Sequence, residues 1–353
     1  MTAATREAGR PSPIATMPPA YFALVMATGI IATASNQQGI DWLAEALYAL
    51  AAAAFVILLV LLVLRIILYR DYFLADLTNH AKGFGYLTLV AGMNVLAAAS
   101  VLIHGWWDIA EVLWWASLPL FVVLGYSALI SDILRSEKPN LGAGINGSWF
   151  LLAVSVESIA ATGAVLVPEM RSDFHAFVCI AAFGLGLVLY LIVMTMLFLR
   201  WTFQPLEPTE ADPPAWIAAG AVAITVLAGS NLLLVRDLAP RIHRLGEVIE
   251  GVVTMAWATS TFWFPVMIAI GVWRHIVRRV PLRYLPSYWS LVFPLGMYSA
   301  STNRMRKAIG LAHIGWLPKL VLVVAFVAWT ATFVGLAAQG WSATKRRRLA
   351  RNG

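Results

Sequence analysis

The sequence predicts an all-α polytopic membrane protein in which ten transmembrane helices form five helical hairpins around a central axis. The chain of 353 residues is 60% hydrophobic, has a mean hydropathy of +0.77, and only 12% of its residues are charged. Soluble domains carry about 25% charged residues. The chain also supplies, repeatedly, the run of about 20 apolar residues that crosses a bilayer. Successive apolar runs, finally, alternate between two chemical types.

This alternation indicates how the helices are arranged. The even-numbered runs are almost uniformly apolar, as in residues 51–64, whereas the odd-numbered runs contain Gly, Ser, Thr, Asn and Pro, as in residues 26–36 and 293–302. Polar groups exposed to lipid are costly, so polar helices are shielded by neighbours or line a cavity. The pattern therefore predicts an inner ring of odd-numbered helices inside an outer ring of even-numbered ones.

Short connections and interfacial tryptophans support the individual spans. The links at 37–42 and 104–108 are too short for anything but antiparallel neighbours, and Trp42, Trp149 and Trp316 lie near predicted span ends, where indole rings favour the interface. The predicted spans are 19–36, 43–69, 84–104, 109–130, 147–167, 174–199, 215–235, 248–273, 287–303 and 316–340.

The chain divides into a cytoplasmic tail (1–18), a transmembrane transporter or channel domain (19–341) and a basic cytoplasmic tail (342–353). With ten spans both termini face one side, and that side holds seventeen of the 25 basic residues. The positive-inside rule then predicts a multi-pass protein of the cell membrane with both termini in the cytoplasm. The N-terminal segment lacks the apolar core of a signal peptide, and Cys179 has no second cysteine with which to pair.

Enzymatic function finds little support in the sequence. The six histidines form no pair at the i, i+4 spacing of a zinc site, and there is no Gly-x-Ser-x-Gly elbow, phosphate-binding loop or paired cysteine. Gly184 and Gly186 lie inside an apolar run, which favours helix packing over nucleotide binding. We therefore expect no enzyme, no cofactor and no metal. The basic residues follow the membrane topology, so nucleic acid is not an expected partner.

The ninth run is the most specific segment of the chain. Pro294 lacks a backbone N–H and clashes with the carbonyl of Ser290, so Pro294 and Gly296 predict a helix kink. Helical spacing places Phe293 on one face with Gly296 and Met297. The phenyl ring is either a plug across a pore or a side chain packed against an outer helix, and the residues alone leave both open.

Three segments carry a family resemblance. Tyr288, Trp289 and Ser290, followed by Phe293 and Pro294, resemble the ninth helix of the tellurite-resistance/dicarboxylate transporter family, which is related to plant slow-type anion channels and malic acid transporters. Residues 19–31 resemble its opening helix and residues 146–150 the start of its fifth. The resemblance implies a central pore, a homotrimer in the bilayer, and Phe293 as the gate of an anion path.

Glu157 is unexpected in a simple anion channel, because it places a carboxyl group in the middle of the fifth span. A carboxylate there costs several kcal/mol unless it is solvated, paired or protonated. One hypothesis makes Glu157 a proton site that couples anion movement to a proton gradient. The alternative is a carboxyl held between helices by hydrogen bonds from Asn94 or Asn231.

Other polar residues of the odd-numbered spans are candidates for the pore lining. Asn residues either line a pore or bridge helices, and hydroxyls can donate weakly to a passing anion. On the outer side, Arg304 and Arg306 oppose the charge rule, which suggests either a basic vestibule that concentrates anions or a solvated loop. The candidate pore-lining residues are Thr28, Ser35, Asn94, Ser155, Ser158, Thr225 and Asn231.

Together these observations predict transport of small anions through a central pore. The resemblance favours C4-dicarboxylates such as malate. Efflux of toxic oxyanions (tellurite or sulfite) or of lipophilic cations is the alternative within transport. A membrane sensor or scaffold is the alternative outside it, and the short loops give such a protein little docking surface.

Overall fold

The computed structural model describes residues 12–208 and 210–352, with side chains described as far as residue 342. Most of the predicted N-terminal tail and the side chains of the basic C-terminal tail lie outside the described residues. Within the described part the regular secondary structure is helical, and nine helices are long and apolar enough to cross a membrane. The fold class is therefore confirmed as a helical membrane protein with multiple candidate spans.

The ten principal helices alternate between short and long. The short ones are α1, α3, α5, α7 and α9 in the numbering below, and we call them the central helices; the other five are the peripheral helices. The bounds are α1 Ala23–Gln37, α2 Asp41–Leu68, α3 Leu87–His104, α4 Trp107–Leu134, α5 Leu151–Met170, α6 Asp173–Phe203, α7 Ile217–Leu234, α8 Gly246–Val272, α9 Trp289–Ala308 and α10 Trp316–Asn352.

Shorter elements join these helices. Three are brief α-helices, one is a π-helix that continues α8, and two are single 3₁₀ turns that lie in the connections before α8 and α10. They are Arg70–Leu77, Leu141–Gly144, Pro240–Arg244, Trp273–Val277, Arg236–Leu238 and Ala312–Ile314.

The central helices pack side by side in a closed ring, in the order α1, α3, α5, α7, α9 and back to α1. They are buried almost all round: every residue from 151 to 167 in α5 and from 217 to 233 in α7 is buried. Each central helix also packs against the peripheral helix that follows it in the chain. This explains why the odd-numbered runs tolerate polar residues, because neighbours shield them from lipid.

The peripheral helices bury only one stripe each. In α2 the buried side chains include Leu47, Ala51, Phe55 and Leu58, which recur at helical spacing, while most of the residues between them are apolar and exposed or half-buried. In a soluble protein such exposed apolar surface would be anomalous, whereas in a bilayer it faces lipid. Helix α9 is missing from the nine apolar candidates, since its hydroxyls and terminal basic residues lower its hydropathy.

Each central helix is preceded by a 3₁₀ turn, and these turns recur at intervals of 64 to 73 residues along the chain. Each turn begins with Pro or Gly and ends with an aromatic residue, and Trp289 follows the fifth turn directly. Four of these aromatic side chains, including Phe22 and Trp289, are almost fully buried. The turns are Pro19–Phe22, Gly83–Tyr86, Gly147–Phe150, Pro213–Trp216 and Pro286–Tyr288.

Close backbone contact explains the glycine at one of these turns. A Cβ on Gly147 would collide with the backbone carbonyl of Pro214, so the starts of α5 and α7 meet where only hydrogen fits. At the opposite helix ends, Gly39 and Gly105 adopt positive φ values of 77° and 69°. They terminate α1 and α3 in the left-handed conformation that glycine adopts without strain.

Three buried arginines bind the ends of peripheral helices to neighbouring loops. Arg65 donates to the carbonyl of Met17 at 2.7 Å and to the hydroxyl of Tyr86 at 2.9 Å, and it pairs with Asp76. Arg200 likewise donates to the carbonyl of Pro205 in the loop that follows α6, and Arg274 donates to the carbonyl of Ala211 in the same connection between α6 and α7. Sequence analysis gave these cations only a topological role, whereas here they also satisfy buried backbone groups.

Candidate functional site

A small cavity lies inside the ring of central helices. Its volume is about 30 Å³, and all five central helices contribute to it. A cavity of this size has room for a water molecule or one small polar group. We call it the central cavity; it is lined by Ile30, Thr33, Gln37, Asn94, Val95, Ala98, Leu102, Ser158, Ala161, Thr162, Ile224, Leu227, Asn231, Met297 and Arg304.

Two asparagines give this cavity its polar character. Asn94 Nδ2 donates to the carbonyl of Val90 at 3.0 Å, and Asn231 Nδ2 donates to the carbonyl of Ala161 at 3.1 Å. The Oδ1 atoms of both residues are buried and have no hydrogen-bond partner among the described residues. A buried polar atom without a partner is costly, so each Oδ1 is positioned for a molecule that enters the ring.

Arg304 is the charged residue among those that line the central cavity. Its guanidinium forms no ion pair or hydrogen bond with any described residue, and its Nε is buried without a partner. No described residue that lines this cavity is an Asp or a Glu. The cavity therefore carries a net positive charge. Arg306, by contrast, donates from Nε to Asn303 Oδ1 at 2.9 Å and does not line the cavity.

Phe293 is 2% exposed, and its neighbours on α9 indicate its direction. A Cβ on Gly220 of α7 would lie 2.8 Å from Pro294 Cγ, and a Cβ on Gly296 would lie 2.8 Å from Ile30 of α1. Pro294 thus faces one ring neighbour and Gly296 the other.

The direction of Phe293 follows from these contacts. Residues turn by about 100° along a helix, so Phe293 lies between the directions of Pro294 and Gly296 and about 40° from Met297. Since Met297 lines the central cavity, Phe293 faces the middle of the ring one turn earlier. Helix α9 is continuous across Pro294, so the kink stays a prediction.

Glu157 points away from the central cavity. Its Oε1 accepts a hydrogen bond from the hydroxyl of Thr225 at 2.9 Å, and its side chain contacts α6 where Gly186 leaves space. The residue is 0% exposed, and its Oε2 has no partner among the described residues. The expected partners Asn94 and Asn231 bind backbone carbonyls instead. A carboxyl between helices is thus the arrangement found, held by Thr225.

The candidate pore-lining residues fall into two groups. Asn94, Ser158 and Asn231 line the central cavity, whereas Thr28, Ser35, Ser155 and Thr225 do not. Thr28 accepts a hydrogen bond from Trp329 of α10, and Ser155 donates to a carbonyl within its own helix. These positions differ from the expectation because helical spacing alone does not tell which face of a buried helix points inward.

Comparison with known proteins now fixes the relationship. A family model described as SLAC1, voltage-dependent anion channel, matches residues 16–337. The chain belongs to this family. A transporter from Methanocaldococcus jannaschii is 25% identical over 90% of this chain and 91% of its own length. A sulfite efflux pump of Trichophyton rubrum is 23% identical over 89% of this chain and 88% of its own length.

A membrane protein of Mycobacterium tuberculosis is 38% identical, over 42% of this chain and 75% of its own length. The predicted relationship with slow-type anion channels is confirmed. The protein is an anion transporter of the SLAC1 family.

This SLAC1-family chain has a second, larger cavity at the ends where the central helices begin. Its volume is about 490 Å³, and we call it the basal cavity. Its cations are neutralised, because Arg200 pairs with Glu210 at 2.6 Å and Lys82 pairs with Asp76 at 2.9 Å. Asp212 also lines it. The basal cavity is therefore wide and close to neutral, in contrast to the narrow and positive central cavity.

Asp212 predicts a pH dependence of stability. Burial raises the pKa of Asp212 to about 6, although the charge of Arg274 and a backbone hydrogen bond oppose the rise. The folded state then binds more protons than the unfolded state between the ordinary pKa of an aspartate and pH 6. Stability therefore falls as pH rises through this window, by about 3 kcal/mol at most. In thermal melts of detergent-solubilised protein we expect Asp212→Asn to melt at the same temperature as the wild type near pH 4 and at a higher one near pH 7. Equal melting temperatures near pH 7 would contradict the assignment.

Sequence reasoning missed several residues of the central cavity. Thr33 and Gln37 line it from α1, and Met297 lines it from α9. Thr33 and Gln37 follow Ile30 at helical spacing, so their shared face was visible in the sequence. No signal in the sequence showed that this face, rather than that of Thr28, points into the ring.

Proposed function

We propose that this protein conducts small anions along the axis of its central ring, from the basal cavity past Phe293 to the central cavity. The observation that carries the proposal is Arg304, a cation that has no acidic partner among the described residues and lines a cavity enclosed by five helices. A buried unpaired charge is costly in the absence of a counter-ion. An anion that enters the ring relieves this cost.

The membrane arrangement follows from the same proposal. All ten helices span the cell membrane as five hairpins, with both termini in the cytoplasm, so that the basal cavity opens to the cytoplasm. Helix α9, which is not among the nine apolar candidates, completes the ten spans, and its polar residues are tolerated because the ring buries them. We further propose a homotrimer, which light scattering of the solubilised protein tests.

Phe293 is the gate in this proposal. It is the bulky side chain that faces the ring axis between the two cavities, and an apolar constriction blocks hydrated ions. Movement of Phe293 would open the path. The open path needs no energy source other than the ion gradients.

Two substrate classes are distinguished by one measurement. C4-dicarboxylates such as malate follow from the family resemblance, whereas small oxyanions such as sulfite follow from the pump of Trichophyton rubrum. The narrow central cavity favours the smaller ions. Uptake of labelled malate and of sulfite into proteoliposomes at fixed voltage decides between them. Absence of flux for both and for chloride would refute anion transport. Lipophilic cations fit poorly, because Arg304 would repel them.

Proton coupling through Glu157 is the most detailed part of the proposal. The residue contacts the ring through Thr225 and not through the cavity, so a change in its protonation would act by moving α7. Glu157→Gln keeps an oxygen for the Thr225 hydroxyl and removes the titratable group. We expect uptake of the transported anion driven by a proton gradient to fall to the level without a gradient. Passive anion flux stays unchanged and serves as the control for folding. Gradient-driven uptake equal to that of the wild type would exclude coupling at this residue.

A further inference from the structure

Each hydroxyl group that lines the central cavity already donates its proton in a hydrogen bond to a backbone carbonyl. Thr33 donates to the carbonyl of Gly29, Ser158 to that of Ser155, and Thr162 to that of Asn94 at 2.8 Å. A hydroxyl oxygen that already donates its proton can only accept a hydrogen bond from a molecule that enters the cavity. These side chains therefore line the cavity with hydrogen-bond acceptors, contrary to the expectation that hydroxyls act as donors to an anion.

The two asparagines extend the same pattern. A backbone carbonyl only accepts hydrogen bonds, so the contacts to Val90 and Ala161 assign the amide nitrogens and leave Oδ1 as the free atom of each amide. Asn94 is 0% exposed and Asn231 is 5% exposed. Both free oxygens are thus buried acceptors in need of a donor.

Free donors are present at another part of the cavity lining. Arg304 Nε and Gln37 Nε2 are buried and have no partner among the described residues. The amide orientation of Gln37 is consistent with this, because its Oε1 accepts from Asn303 Nδ2 at 3.3 Å. The central cavity therefore offers cationic and amide donors together with several neutral acceptors.

A simple anion such as chloride or nitrate satisfies only half of this arrangement. It accepts from Arg304 and Gln37 but leaves the oxygens of Asn94 and Asn231 without donors. A monovalent oxyanion that carries its own O–H satisfies both sets, since its charged oxygens accept and its hydroxyl donates. Sites built to hydrogen-bond a hydroxyl reject analogues that lack it.

We propose that the central cavity selects monoprotonated oxyanions, through donation of their O–H to Asn94 and Asn231. This inference rests on the proposed function, because it assigns a substrate class to the same path. It makes the two asparagines specificity-determining residues, whereas Arg304 supplies attraction for any anion.

Bicarbonate and nitrate form a matched pair for the test, since both are planar and monovalent and only bicarbonate has an O–H. Reversal potentials with nitrate on one side of a planar bilayer and bicarbonate on the other, at one pH, give the permeability ratio. The currents are recorded in a Phe293→Ala background. We expect Asn94→Leu and Asn231→Leu each to lower the ratio of bicarbonate to nitrate permeability by about threefold to tenfold, as loss of one ordinary hydrogen bond, from the O–H of the ion to the amide oxygen, predicts.

Ser230→Ala is the matched control. It removes a buried hydroxyl that has no partner among the described residues and lies next to Asn231 but outside the cavity lining, and it should leave the ratio unchanged. Nitrate current in each variant shows that the protein is folded and conducts. A ratio unaltered by both Leu substitutions, with nitrate current intact, overturns the selection and leaves anion transport standing. Absence of any anion current in the Phe293→Ala protein that carries no cavity substitution overturns the proposed function itself.

A measurement without cavity substitutions covers the case in which neither Leu variant folds. Formate is planar, monovalent and smaller than bicarbonate, and it has no O–H. Size alone therefore favours formate, whereas the proposed selection favours bicarbonate. Greater permeability of formate overturns the proposal.

Discussion

Phe293→Ala is expected to turn the protein into a constitutive anion conductor. The side chain is 2% exposed and faces the ring axis between the basal and central cavities. Its removal leaves an opening along the axis that water and ions can fill from the basal side. A barrier lowered by 1.4 kcal/mol already raises conductance tenfold, so we expect an increase of at least about tenfold over the wild type. Macroscopic currents in planar bilayers, normalised to the amount of reconstituted protein, measure it.

A buried phenylalanine away from the axis provides the control. Phe183 is 5% exposed on α6 and packs against Gly229 of α7. Phe183→Ala removes the same volume and should destabilise the fold by about 3 to 5 kcal/mol without opening a path. Thermal melts and currents of both variants separate loss of packing from loss of a gate. Currents of Phe293→Ala no larger than those of the wild type would show that the ring does not close the path.

Much of the fold was predictable from the alternation of apolar and polar-containing runs in the sequence. It predicted which helices are central and which are peripheral, because burial inside a helical ring leaves a compositional trace. Bounds were less accurate at the C-terminal ends of the peripheral helices: the fourth span was predicted to end at 130, and α4 continues to Leu134. Amphipathic ends of such helices carry no sharp hydropathy edge, and buried arginines such as Arg65 look like surface charges in a sequence.

The fivefold recurrence of the 3₁₀ turns escaped sequence analysis. Only the pattern of a small or cyclic residue followed by an aromatic one is shared, and it is too short to recognise without the fold. The candidate site was likewise only partly predictable. Asn94 and Asn231 were identified because polar side chains in a span need a partner, whereas Thr28 and Thr33 could not be separated. Both lie on fully buried helices, where no polar face marks the direction of the axis.

Arg304 is expected to account for most of the electrostatic attraction of anions. Arg304→Met keeps the length of the side chain and removes the charge that lines the central cavity. In a Phe293→Ala background, anion current should fall by about tenfold in dilute salt and by less in concentrated salt, because mobile ions screen the arginine. The ratio of anion to cation permeability should fall with it. Currents recorded over a series of salt concentrations measure both effects.

Arg306→Met distinguishes this site from a broad basic vestibule. The two arginines lie on the same helix, two residues apart, but Arg306 binds Asn303 and does not line the cavity. A vestibule that concentrates anions through its summed charge would lose comparable current on removal of either arginine. A site in the ring would lose it only with Arg304. Current that falls equally in both variants would place the attraction outside the ring, and current without salt dependence in the parent protein would exclude it altogether. The pair of variants thus locates the charge that the anion meets, which the net charge of the chain could not do.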